Sequence, residues 1–148
     1  MRRTTLFLLV FLSVAGASSR GQQHRPRITT PPVVATFERF GRTSGIPPTT
    51  IYTPPNQGTF RVSTVMVETE SNGTDGAGWV GQLSFTNAAG LNSDVRFQTA
   101  VSARERQTGV SEFPIRAKAG KPIRFSVSSV GNIKNTKYNV FIVVEQIM

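Results

Sequence analysis

Lys137-Tyr138-Asn139-Val140-Phe141-Ile142-Val143-Val144-Glu145-Gln146-Ile147 is the stretch whose reading decides the fold. In an extended chain, Tyr138, Val140, Ile142 and Val144 fall on one side, and Phe141 and Val143 fall on the other. Neither side is polar, so this strand needs cover on both. It is predicted to be the central strand of a β-sandwich, with a second sheet over one face and something further over the other.

The same signature recurs in residues 59–70. Phe60, Val62, Thr64 and Met66 alternate there with Arg61, Ser63, Val65 and Val67. The first half is amphipathic, whereas the second half is apolar on both sides. A glycine-rich loop follows over residues 71–78, then Trp79 and a strand with Leu83 and Phe85 inward against Gln82, Ser84 and Thr86. Residues 94–103 alternate with Val95 and Phe97 inward. Residues 111–117 put Phe113 and Ile115 inward, and Pro114 marks that strand as an edge or a bulge. A turn at residues 118–122 leads to Ile123, Phe125 and Val127 alternating with Arg124, Ser126 and Ser128. Past the N-terminal segment no stretch keeps a 3.6-residue apolar spacing, so the expected class is all-β, an antiparallel β-sandwich of jelly-roll type.

Ahead of the sandwich the sequence changes character. Arg2 and Arg3, the apolar run from Leu6 to Leu12 and the small residues Ala15-Gly16-Ala17 read as a secretory signal over residues 1–17, with Ala15 and Ala17 set for the peptidase pocket. The run is too short to be read as a membrane span. The expected localisation is therefore secreted, extracellular or periplasmic, with no transmembrane segment after signal removal. Residues 18–50 read as an extended Pro- and Arg-rich arm, and residues 51–148 as the sandwich domain. Seven of the nine prolines, Pro26, Pro31, Pro32, Pro47, Pro48, Pro54 and Pro55, lie in the arm or at its border. One apolar patch interrupts it, with Val33, Val34, Phe37 and Phe40 expected as a short strand or a clip on the domain. The 148 residues include no cysteine, so stability must come from burial and strand pairing without disulfide staples.

Tyr52-Thr53-Pro54-Pro55 leading into Gly58-Thr59-Phe60-Arg61-Val62-Ser63, the turn Ala117-Lys118-Ala119-Gly120-Lys121-Pro122-Ile123 and the final strand with Tyr138 form a combination. It resembles uncharacterised secreted bacterial and phage-associated β-sandwich proteins. More distantly it is similar to the jelly roll of complement-type globular heads and the tumour necrosis factor superfamily. The chain has neither the collagen stalk of the complement-type heads nor any cysteine, so no receptor or ligand specificity carries over. The resemblance implies that the strand after the Pro-Gly turn lies beside the C-terminal strand, in a sheet facing a threefold axis. Val65, Val67, Phe141 and Val143 would then be neighbours on one outward surface, and the assembly would be a homotrimer.

The inventory for catalysis is poor. The single histidine, His24, sits in the arm, and without cysteine there is no thiol nucleophile and no multi-His or Cys zinc site. Glu68 and Glu70 share a strand face and are expected as solvated charge. We therefore expect no enzyme, no catalytic residues, no metal and no cofactor. Asn72 and Asp75, with Asp94, offer hard oxygens for calcium but supply too few carboxylates at fixed spacing. Trp79, with Asn72 and Asp75 in the adjoining loop, is a candidate sugar-stacking platform and gives the alternative reading of a carbohydrate-binding module.

The formal charge is +9, and the arm carries Arg20, Arg25, Arg27, Arg39 and Arg42 against Glu38 alone. Such an arm suits an anionic envelope or glycan surface, whereas secretion argues against nucleic acid. The apolar set Val65, Val67, Phe141 and Val143 has two readings: the arm folds across it, or identical chains bury it against one another. At ~25 cal/mol per Å², covering ~400 Å² is worth about 10 kcal/mol before association costs, so an uncovered face is disfavoured. Of the two, cover by the arm is slightly preferred. The expected function is that of a secreted, non-enzymatic module with a structural, adhesive or surface-binding role, with self-association through this face as the second option.

Overall fold

The computed structural model describes residues 30–70, 77–100, 108–133 and 136–148, with the backbone alone over residues 98–100. Among these residues eight strands run in chain order: β1 (Val33–Arg42), β2 (Ile46–Tyr52), β3 (Gly58–Glu70), β4 (Gly78–Thr86), β5 (Asn92–Ala100), β6 (Thr108–Ala117), β7 (Ile123–Val130) and β8 (Lys137–Gln146). They form two four-stranded sheets in the orders β1-β8-β3-β6 and β2-β7-β4-β5, and every neighbouring pair is antiparallel. The chain crosses between sheets at every connection except β4 to β5, a hairpin closed by Asn87. Its Oδ1 accepts from the amides of Ala89 and Leu91, both at 3.0 Å. The architecture is a jelly-roll β-sandwich.

The strand first singled out lies inside its sheet. β8 is paired on both sides, with Ile142 opposite Phe37 of β1 and Thr64 of β3. Tyr138, Val140, Ile142 and Val144 are buried together with Phe60, Val62 and Met66 of β3, facing Trp79, Leu83, Ile123, Phe125 and Val127 of the other sheet. Close packing within the β2-β7-β4-β5 sheet depends on Gly81. A Cβ there would fall within the ring of Phe97, which stacks on Phe125 and lies against Phe113.

The N-terminal boundary differs from the sequence expectation. Val33–Arg42 and Ile46–Tyr52, read as part of the arm, are β1 and β2, so the sandwich begins at Val33 rather than at residue 51. Phe37 turns inward onto Phe125 with ring centroids 6.0 Å apart, and Ile46 joins the core. Proline density misleads here because β2 is an edge strand. Its ladder with β7 passes from Ile46 directly to Thr49, so Pro47 and Pro48 withhold no required donor. Pro114 likewise sits in β6, the opposite edge of the first sheet. The expected signal segment, with Ala15 and Ala17, and the arm as far as residue 29 lie outside the described residues. No helix among the described residues is long and apolar enough to cross a membrane.

Candidate functional site

The two sheets present outward faces of unlike chemistry. On the first sheet, Glu38, Phe141, Val65 and Val110 follow one another as Cα partners across β1, β8, β3 and β6. Cross-strand partners project from the same face, so this is an apolar row running to the outer edge of β6. Phe40 extends it at the other edge, meeting Phe141 edge-on with ring centroids 5.2 Å apart. Val143 and Val67 flank the row on the same face, and Val65, Val67, Phe141 and Val143 are each half-buried. Phe40 is 60% exposed and Val110 is 71% exposed.

β1 does not lie across this face. It pairs edge to edge with β8, sends Phe37 inward and leaves Phe40 outward, so no described residue lies across the apolar row. The rim is charged: Glu38, Glu112 and the pair Arg61 Nε to Glu145 Oε2 at 2.7 Å surround it. The hydrogen bond to Glu145, and then its charge, hold the Arg61 guanidinium above the ordinary arginine value. Sequence reading placed Phe40 in the arm's apolar patch and missed Val110. Val110 has the outward parity of a strand whose inward residues are Phe113 and Ile115, but the expected strand began one residue too late to include it.

Trp79 and Glu68 are both interior. Trp79 is 0% exposed and packs against Tyr138 with ring centroids 4.5 Å apart, so it offers no face to a sugar. Its former partners in that reading, Asn72 and Asp75, lie outside the described residues. Glu68 is also 0% exposed, because it continues the inward parity of Phe60, Val62, Thr64 and Met66. A register shift between Glu68 and Glu70 then releases Glu70, which accepts from Lys137 Nζ at 2.8 Å.

Arg42, Tyr138 and Glu68 are successive Cα partners on the inner face, an inward row of cation, phenol and carboxylate. Tyr138 donates to the Ser44 carbonyl at 3.0 Å. Burial pushes its phenol up to about 12, with Arg42 pulling weakly the other way. With Tyr138 and Glu68 closed off from solvent, this row supports the sandwich end and has no opening for a substrate.

The second sheet is polar outside. Arg124, Ser84 and Asp94 are Cα partners across β7, β4 and β5, and Gln82, Ser126 and Arg96 form the next row. The β4–β7 ladder stops at Ser84 and Arg124, short of the end of β4, because the chain enters β7 through Lys121 and Pro122. A groove of about 450 Å³ opens there, with Ser84, Phe85 and Thr86 on its floor. Asp94, considered above as a calcium ligand, stands exposed on its β5 wall.

No family model matches the sequence, and the search of curated proteins finds no match. Among solved structures, the chain is similar to the Eiger TNF from S. frugiperda at 15% identity and a TM-score of 0.44, covering 79% of this chain and 94% of that one. It is also similar to a chain of infectious bursal disease virus, Gx strain, at 10% identity and a TM-score of 0.28, covering 79% of this chain and 35% of that one.

Proposed function

We propose that this chain is a secreted, non-enzymatic β-sandwich module with a structural, adhesive or surface-binding role, which assembles with copies of itself through the outward face of the β1-β8-β3-β6 sheet. The observation that carries the reading is the apolar row Phe40, Phe141, Val65 and Val110, spanning that sheet from edge to edge. Four strands ~4.8 Å apart and about ten residues long at ~3.4 Å each make a face of roughly 650 Å² in projection, close to the ~800 Å² per partner of a standard interface. An apolar centre with a charged rim is the usual anatomy of such a contact. The outward face of the second sheet, by contrast, is polar and needs no cover. Three copies is the number implied by the sequence resemblance. The signal-like N terminus supports secretion, and the arginine-rich segment behind it supports retention at an anionic envelope surface.

Light scattering of the chain tests the reading. A mass of several copies is expected, falling to one copy in Phe141→Lys and in Val67→Lys, with the β-sheet circular dichroism unchanged. A wild-type monomer whose solubility is indifferent to both substitutions would remove the basis for the proposal.

A further inference from the structure

We infer that the groove at the Asp94–Arg124 end of the second sheet is a binding site for a carboxylate-bearing sugar. Ser84 has Arg124 as its Cα partner on one side and Asp94 on the other, so the Cα atoms of Arg124 and Asp94 stand roughly 10 Å apart, two strand spacings, with a short side chain between them. Long walls on a low floor make the depression, and its volume of about 450 Å³ lies within the ~300–1,000 Å³ range of small-ligand sites.

The chemistry of the walls is divided. Lys121 and Arg124 line the β7 side, and among the described residues neither is in an ion pair. The β5 side carries Asp94, also outside any ion pair among the described residues, and Asn92. Asn92 Oδ1 accepts from the Thr86 hydroxyl at 3.3 Å, which leaves its amide N–H groups to donate elsewhere. Between the walls, Pro122 supplies apolar surface.

An anion alone would be served by the cations and repelled by Asp94. A neutral sugar would use Asp94 and Asn92 but leave Lys121 and Arg124 idle. An acidic sugar meets both walls: its carboxylate reaches the guanidinium and ammonium, its hydroxyls donate to Asp94 and accept from Asn92, and its C–H groups lie against Pro122. The site lies on the face opposite the proposed self-association surface, so it remains open in the assembly and stands or falls separately from it.

The test is a titration of the full chain with tri-galacturonate and, as the neutral counterpart, maltotriose, at fixed ionic strength, by calorimetry. Saturable binding of tri-galacturonate is expected, with maltotriose at least tenfold weaker. Arg124→Gln should weaken tri-galacturonate about tenfold, the loss of one charge-assisted hydrogen bond. Arg116→Gln, which removes the same charge from an exposed position on β6 of the other sheet, should leave the affinity unchanged. Asp94→Asn decides between a sugar site and a bare anion contact: weaker binding supports the inference, and tighter binding overturns it. Equal affinity for the two trisaccharides, a loss in Arg116→Gln as large as in Arg124→Gln, or no binding of tri-galacturonate would each overturn it as well. Arg124 and Asp94 are exposed, so these variants should keep the wild-type fold, checked by the emission of Trp79.

Discussion

Trp79 of one sheet and Tyr138 of the other pack ring against ring, with centroids 4.5 Å apart and planes inclined at 44°. The contact joins β4 to β8 beneath the end of the sandwich, and both side chains are fully buried. Trp79→Ala should therefore act on stability, by about 3–5 kcal/mol, through the cavity it opens. Chemical denaturation measures this. Because Trp79 is the only tryptophan, its wild-type emission should be blue-shifted and move to the red in one transition on unfolding. Emission already at the solvent-exposed position in the native protein would contradict this packing.

Gly81 is a point of close packing within the second sheet. Its Cα partners are Phe97 and Val127, and an added Cβ would collide with the Phe97 ring. Gly81→Ala is expected to destabilise the protein by about 1–3 kcal/mol, as overpacking does. Trimming the ring in Gly81→Ala/Phe97→Leu should return part of that loss. If the two single changes simply add, the clash is not the cause.

Tyr138 gives a pH dependence with a definite sign. Its phenol titrates near 10 in the unfolded chain and is pushed up to about 12 in the folded one, chiefly by burial. Between those values the folded state holds the proton that the unfolded state has lost, so stability is constant below pH 10 and falls as pH rises towards 12. The loss is roughly 2–3 kcal/mol. Denaturant midpoints measured from pH 9 to 12 should show a steeper decline for the wild type than for Tyr138→Phe. Parallel curves would mean that the phenol does not titrate in this way.

The N-terminal strands also make a prediction. A chain starting at residue 51 would lack β1 and β2, stripping Phe37 and Ile46 from the core and exposing the edges of β8 and β7. Unpaired edges of this length invite aggregation. Expression from residue 51 should yield insoluble protein, while a chain starting at residue 30 stays folded and soluble by gel filtration.

Much of this was readable in the residues alone. The alternation in 137–147 and 59–70 placed Tyr138, Val140, Ile142, Val144, Phe60, Val62 and Met66 inward. It also left Val65, Val67, Phe141 and Val143 on the other side, because a strand has only two faces and side-chain parity decides between them. The same parity put Glu68 inward, but its charge suggested the surface. A buried carboxylate in the row with Tyr138 and Arg42 becomes plain only once their strands are paired.

What the sequence determined by itself was the class of fold and the two-sided apolar character of β3 and β8, both of which follow from local periodicity. Tertiary structure alone decided that a proline-rich segment supplies two edge strands, that Trp79 is buried, and that Phe40 and Val110 complete one apolar row. It also brought Arg124 and Asp94 to opposite sides of Ser84. Each of these depends on which strands are neighbours and where a ladder ends, and such long-range pairing leaves no periodic trace along the chain.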